Sequence, residues 1–420
     1  MRRVGRLGPL RERPFRLLWF ARTGSSVGDS LIPVALSFAV INHVSEGGIG
    51  GGPVGLGIVL ACWTVGRASV TLAGGVWADR LPRRLVMISA DIVRLGMQTT
   101  TAALLLGGVA HTWELAVLQT VAGAAGGFFG PASTALLPQA VSEGMLQKAN
   151  SLLTLSRSGT QIFGPAVAGG LVVTVGPGWC FAIDAASFLF SAVFVSLMRV
   201  APHEPPVAQR FWRDLADGWV EVRRHRWLTA GFLGFALGNV GIGIYLVLGP
   251  LVAKDELAFH QLAWGLVLTS GSVGGVLGGL VAYRIRPAHP VATAFAIWTL
   301  GACLPLALVP PLALGFVMVA AAIVFASILI GNVLWETAMQ QEVRPDRLAR
   351  VASIDLLLSL CLMPMGSLLA GPLSTALGVR STLLLAAVLM SVPNFLVLVF
   401  VREVRSVRRR DADNSPALAA

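Results

Sequence analysis

The chain has 420 residues, 55% of them apolar and only 13% charged, with a mean hydropathy of +0.75. Soluble domains carry about 25% charged residues, so a water-soluble globule is excluded. The net charge of +11 does not point to a nucleic-acid partner, because Lys and Arg stand at the ends of apolar runs, where they set membrane topology.

Apolar runs recur at 17–44, 53–78, 84–109, 113–137, 147–173, 177–200, 227–252, 261–285, 289–309, 311–338, 350–374 and 380–402. About 20 apolar residues span a bilayer core as a helix. Lipid offers no partner for a free backbone N–H or C=O, so each run must be helical. The alternating ten-residue segments of a β-barrel do not occur. The expectation is an all-α membrane protein with twelve transmembrane helices in two pseudo-symmetric six-helix bundles.

Six arginines, Arg2 to Arg16, precede the first run, and no small-residue cleavage site follows a short apolar segment. A retained first span is expected rather than a signal peptide. With the N-terminus, the even-to-odd connections and the C-terminus on one side, that side holds 26 of the 32 Lys/Arg residues. The other side holds only Lys254 and Arg380, and Arg22, Arg67, Arg94 and Arg157 lie within spans. This asymmetry predicts a multi-pass protein of the cytoplasmic (inner) membrane with both termini cytoplasmic. Cys62, Cys180, Cys303 and Cys361 all lie in apolar runs without metal-type spacing, and read as small core residues.

The longest polar stretch, 201–226, opens with the linker composition Pro202-His203-Glu204-Pro205-Pro206. In it Phe211, Leu215, Trp219 and Val222 fall at helical spacing, predicting a short amphipathic helix on the cytoplasmic surface. The expected organisation is a first bundle over 1–200, this linker over 201–226, a second bundle over 227–402 and a tail over 403–420. The halves match internally at an offset of 202: Gly164 maps to Gly366 and Gly169 to Gly371, and Leu137-Pro138-Gln139 parallels Met339-Gln340-Gln341. Duplicated bundles of this kind bind solute between halves and move it by alternating access.

Between the second and third spans stands Gly75-Val76-Trp77-Ala78-Asp79-Arg80-Leu81-Pro82-Arg83-Arg84. It resembles the G-x-x-x-D-R-x-G-R-R/K signature of the major facilitator superfamily, departing from it at Pro82 and Trp77. The resemblance implies a cytoplasmic gate that latches the halves in one access state. It would be built from Gly75, Asp79, Arg80, Arg83 and Arg84, with Asp91, Arg94 and Asp355 assigned to the same cluster. The second half has a worn copy, Gly279 to Arg284, with Tyr283 in place of the acid. In the fifth span, Gly164, Pro165, Gly169 and Gly170 resemble a degraded G-P-x-x-G-G antiporter motif, implying a helix bend; simple packing glycines are the alternative. Gly127-Phe128-Phe129-Gly130-Pro131-Ala132 is similar to the macrolide-efflux and siderophore-exporter branch.

Charges within spans are costly and need a partner or a wet cavity. Arg22, Ser26, Asp29 and Pro33 share one face of the first span, Arg67 lies mid-way along the second, Thr154, Arg157 and Gln161 share a face of the fifth, and Asp184 lies in the sixth. A carboxylate that moves between an apolar and an arginine-paired setting binds and releases a proton. Asp29 is therefore the expected proton carrier, with Arg157 as its charge partner or a substrate contact; a static pair fixing helix packing is the alternative. Arg22, Arg67, Gln161 and Asp184 complete the expected cavity set. The second half offers Asn239, Asn332, Glu336 and Asp355. The aromatics Trp63, Phe128, Phe129, Phe163, Phe235, Tyr245 and Trp335 are candidates for an amphipathic pocket wall, with packing or lipid contact as the alternative.

No phosphate-binding loop, His-Glu-x-x-His or catalytic-triad spacing occurs, so neither an enzyme nor a cofactor or metal site is expected. The leading expectation is a proton-coupled exporter of an amphipathic or drug-like small molecule. Its expected partners are that substrate, the proton and membrane lipids, without nucleic acid, and the family resemblance implies a monomer. A polar-nutrient importer, a lysophospholipid flippase and a non-transporting scaffold or sensor are the rivals.

Overall fold

The computed structural model describes residues 8–43, 52–78, 82–199, 219–220, 222–310, 312–343 and 345–407. Side chains at 43, 71–78, 143, 345–346, 348–350, 352–353 and 355–361 are outside the description. Twelve long helical segments follow one another: α1 (Arg13–His43), α2 (Gly52–Ala78), α3 (Arg83–Leu106), α4 (Thr112–Ala140), α5 (Leu146–Thr174), α6 (Pro177–Ser196), α7 (Arg226–Glu256), α8 (Gln261–Arg284), α9 (Pro290–Leu308), α10 (Leu314–Glu342), α11 (Pro345–Leu377) and α12 (Val379–Phe400). A 3-10 turn at Thr299–Ala302 interrupts α9. A five-residue helix, Arg402–Ser406, follows α12. The chain is therefore an all-α, multi-pass membrane protein.

Among the described residues, nine of these segments are long and apolar enough to cross a bilayer on composition alone. The others are α3, α5 and α11. Polar side chains dilute the apolar character of α3 and α5, and those same side chains build the site described below. In α11 the side chains of 355–361 are outside the description, and Leu362–Leu377 forms an apolar stretch.

Duplication is visible in how the helices begin. Gly176 and Gly378 precede α6 and α12 with φ of 89° and 85°, a conformation open to glycine and strained for other residues. The helices α4 and α10 are both 29 residues long, and α1 and α7 are both 31. In the linker, Trp219, Val220 and Val222–Arg224 are helical. Val222 is fully buried against Trp227, whereas Trp219 is exposed. Phe211 and Leu215 lie outside the described residues.

The chain forms two compact units that do not follow the linear halves. One comprises 1–209, 246–269 and 367–376; the other 210–245, 270–366 and 377–420. Small residues explain the exchange inside the first unit. A Cβ on Gly57 of α2 would strike the Ser367 carbonyl of α11, and one on Gly371 would meet Val54. A Cβ on Gly265 of α8 would likewise strike the Pro165 carbonyl of α5, and one on Gly169 would meet Leu262. Two seams thus repeat at the same helix ends, each with backbones close enough that only glycine fits. Each unit has its own apolar core: Phe15, Leu18, Met87 and Leu136 in the first, and Trp227, Leu228, Phe295 and Trp335 in the second.

Candidate functional site

The first unit buries a polar network between α1, α3, α4 and α6. Its centre is Arg94, whose side chain is 7% exposed. One guanidinium nitrogen donates to Asp91 Oδ1 at 2.5 Å. The other stands 3.8 Å from Asp29 Oδ2. The guanidinium carbon lies 4.5 Å from the Phe129 ring centroid and 4.1 Å from that of Phe188. A cation between two ring faces is stabilised by both quadrupoles, more strongly where water is excluded.

Asp91 is held at both oxygens, because Ser191 Oγ donates to its Oδ2 at 2.6 Å. Asp29 is held loosely: its side chain is 54% exposed, with no hydrogen bond recorded among the described residues. One arginine therefore bridges a fixed carboxylate and a free-standing one. Beside this pair a second chain of bonds ends on Asp184. Gln119 Nε2 donates to Gln98 Oε1 at 3.0 Å, and Gln98 Nε2 donates to Asp184 Oδ2 at 2.8 Å. Asp184 is fully buried. It abuts Gly28 of α1, where any Cβ would collide with its carboxylate and with Ser187. The glycine before Asp29 is thus what lets α1 approach α6.

The remaining cavity candidates sit at the open edge of the network. Arg67 and Arg157 are exposed, and both act electrostatically on Asp29. Arg67 also lies 5.5 Å over the Trp63 ring. Arg22 is half-buried and within electrostatic range of Arg157. Gln161 is exposed. One turn away, Ser26 Oγ shares a 2.9 Å hydrogen bond with Thr160 Oγ1, joining α1 to α5.

Two expectations change in placement. The ion-pair partner of Asp29 is Arg94, not Arg157. Asp91 and Arg94, grouped with the gate by sequence, instead lie inside the bundle. At 1.5 Å per residue they sit roughly 12 to 16 Å along α3 from its start, beyond reach of a loop. Arg83 and Arg84 do stay at that start. Arg83 donates to the Ala135 carbonyl of α4 at 2.7 Å. Arg84 donates to the carbonyls of Val195, at 3.1 Å, and Ser196, where a cation meets the negative end of α6. Gly75 lies within α2, whose side chains there are not described, while Asp79, Arg80 and the Asp355 side chain are outside the described residues. Tyr283, in the worn copy, is 86% exposed.

In α5 the helix runs unbroken through Pro165. Gly164 packs on Ser30, Gly169 on Leu262, and Gly170 faces open space. Phe163 is exposed, and Phe128 packs against the first core. Sequence reasoning missed Gln98, Gln119, Phe188 and Ser191. Only the sparse polar positions of α3 and α4 could have signalled the two glutamines.

A family model for the Major Facilitator Superfamily matches residues 18–363. The chain belongs to the Major Facilitator Superfamily. It is accordingly a membrane transporter and not an enzyme. Among its relatives, the multidrug efflux pump Tap of Mycolicibacterium fortuitum is 29% identical over 420 residues, covering 96% of this chain and 98% of that protein. Macrolide efflux protein A of Streptococcus pyogenes is 24% identical over 332 residues, covering 75% and 80%. The solved nucleoside transporter NupG superposes with a TM-score of 0.73 at 12% identity, covering 92% of this chain and all of that one. A sulfate-bound peptide transporter POT gives 0.75 at 12% identity, covering 96% of each chain. These two structures share the superfamily fold.

Proposed function

We propose that this transporter is a proton-coupled exporter of amphipathic, drug-like small molecules in the cell membrane, working by alternating access with both termini in the cytoplasm. The observation that carries the coupling is the unequal grip of Arg94 on its two acids. Asp91 is bonded at both oxygens, whereas Asp29 stands 3.8 Å off and half-exposed. When Asp29 takes up a proton, Arg94 keeps a counter-charge in Asp91, so no buried charge is left alone. When Asp29 loses the proton, Arg94, Arg67 and Arg157 stabilise the anion that remains. A carboxylate with this choice can be loaded from one side of the membrane and unloaded on the other.

The cargo class rests on the two efflux relatives. Alternating access is supported by the paired glycine seams: contacts made through small residues close and part with little side-chain rearrangement. The 26-to-two distribution of Lys and Arg supports the orientation. The test is dye and macrolide uptake into inverted vesicles under an imposed pH gradient. Uptake should follow the gradient, collapse with a protonophore and be abolished in Asp29→Asn. Gradient-driven uptake that survives Asp29→Asn would remove Asp29 from the coupling step.

A further inference from the structure

The second unit encloses a cavity of about 310 Å³ between α7, α9, α10 and α12. We propose that it is a binding site for an organic ammonium cation, seated on the aromatic wall of Phe235, Trp298 and Trp335 with Glu336 as counter-charge.

The wall is rigid and built. Phe235 packs edge-on to Trp298 with ring centroids 4.2 Å apart, and to Trp335 at 5.3 Å. Gly231 and Gly331 stand directly against the Trp335 and Trp298 indoles, leaving no room for a Cβ. Natural interiors hold few voids larger than a water molecule, and this one falls within the size range of small-molecule pockets. Its polar groups are unspent. Trp335 is 1% exposed, and its Nε1 is buried without an acceptor, a rare state for an interior donor. Asn332 and Glu336 have no hydrogen bond or ion pair among the described residues. Asn239 commits only its Nδ2, to the Phe235 carbonyl at 3.0 Å. Glu336 lies six residues before the end of α10 and is exposed at the cavity edge.

The charge of the ligand follows from the other half. There the equivalent space holds a cation of the chain's own. At the repeat offset of 202, Phe129 maps to Gly331 and Phe188 to Met390. Phe129 lies against Arg94 and Gly331 lies against Trp298, so an indole packs on the position equivalent to Arg94's ring partner, whereas the residue 202 after Arg94 is Ala296. Asp184 abuts Gly28 of α1, and Ala386, 202 residues later, abuts Gly241 of α7. In the first half, then, guanidinium, ring faces and carboxylate complete one another. In the second, ring faces and a carboxylate are present and the cation is missing. Ammonium groups bind such faces through the ring quadrupole, most strongly on Trp.

The test uses the purified full chain in detergent with benzyltrimethylammonium, titrated by intrinsic tryptophan fluorescence and by calorimetry. Saturable one-to-one binding is expected, with benzoate inactive. Glu336→Gln, a near-isosteric change at an exposed edge, should weaken binding by about tenfold or more, and so should Trp298→Leu. Glu336→Asp should recover part of the loss, which separates lost charge from misfolding. Asp29→Asn should bind as the parent chain does, so failure of this site and failure of the proton assignment are distinguishable. Equal affinity in Glu336→Gln, binding of benzoate, loss of binding in Asp29→Asn, or no saturable binding at millimolar concentration would each overturn the proposal.

Discussion

The interior of α1, α3, α4 and α6 and that of α7, α9, α10 and α12 are copies of one scaffold with opposite contents. In the first, an i, i+3 pair on α3 is Asp91–Arg94, an ion pair at 2.5 Å. In the second, an i, i+3 pair buried on α9 is Phe295–Trp298, two rings 5.3 Å apart, while the residues 202 after Asp91 and Arg94 are Thr293 and Ala296. The backbone geometry that serves one serves the other, because close helix approach depends on glycines such as Gly28 and Gly241 and is indifferent to what the neighbouring positions carry. Duplication thus preserved a frame. The first half became an electrostatic element with one loosely held acid, and the second an aromatic one with space left over.

The largest effect expected from breaking this comparison is at Arg94. Arg94→Ala strands Asp91 in a dry interior, which costs about 3–5 kcal/mol when one member of a buried pair is removed. Thermal unfolding in detergent should show a drop of many degrees, with Asp91→Leu added to the same chain restoring much of it. A transplant sharpens the point. Trp298→Arg alone should destabilise the second half by a similar amount, about 3 kcal/mol, whereas adding Phe295→Asp should recover part of the loss. If the double variant is no better than the single one, the frame is not indifferent to what it carries.

Smaller changes probe the edges of the network. Gln98→Leu removes the donor to Asp184 and leaves Gln119 without its acceptor; a loss of about 1–3 kcal/mol is expected, read as a lower unfolding midpoint. Arg84→Ala uncaps two carbonyls at the end of α6 and should cost about 1 kcal/mol. Asp29→Asn should change stability by less than about 1 kcal/mol, since a half-exposed pair at 3.8 Å contributes little, while abolishing gradient-driven transport. A large stability loss in Asp29→Asn would identify it as a packing pair instead.

Much of this molecule can be read from residue order. Runs of about 20 apolar residues dictate spans, since a helix is the only way to satisfy a single strand of backbone in lipid. The offset of 202 exposes the duplication, and Gly75 to Arg84 carries the superfamily signature. Asp29 stands out because an acid in the middle of an apolar helix demands an explanation. Helical periodicity says which residues share a face. It does not say which neighbouring helix that face meets, or at what height. Residue order therefore leaves Arg157 as the expected partner of Asp29 and Arg94 with the gate, whereas the packing of α1 on α3 and α6 sets Arg94 3.8 Å from Asp29. The same limit hid the cavity beside Glu336. Phe235, Trp298 and Trp335 come from three helices far apart in the chain, and only their packing around Gly231 and Gly331 makes a wall of them. Sequence determined the spans, the repeat and the exceptional acid. Tertiary structure decided which charges pair and where the interior stays empty, because both depend on distances between helices that no single helix encodes.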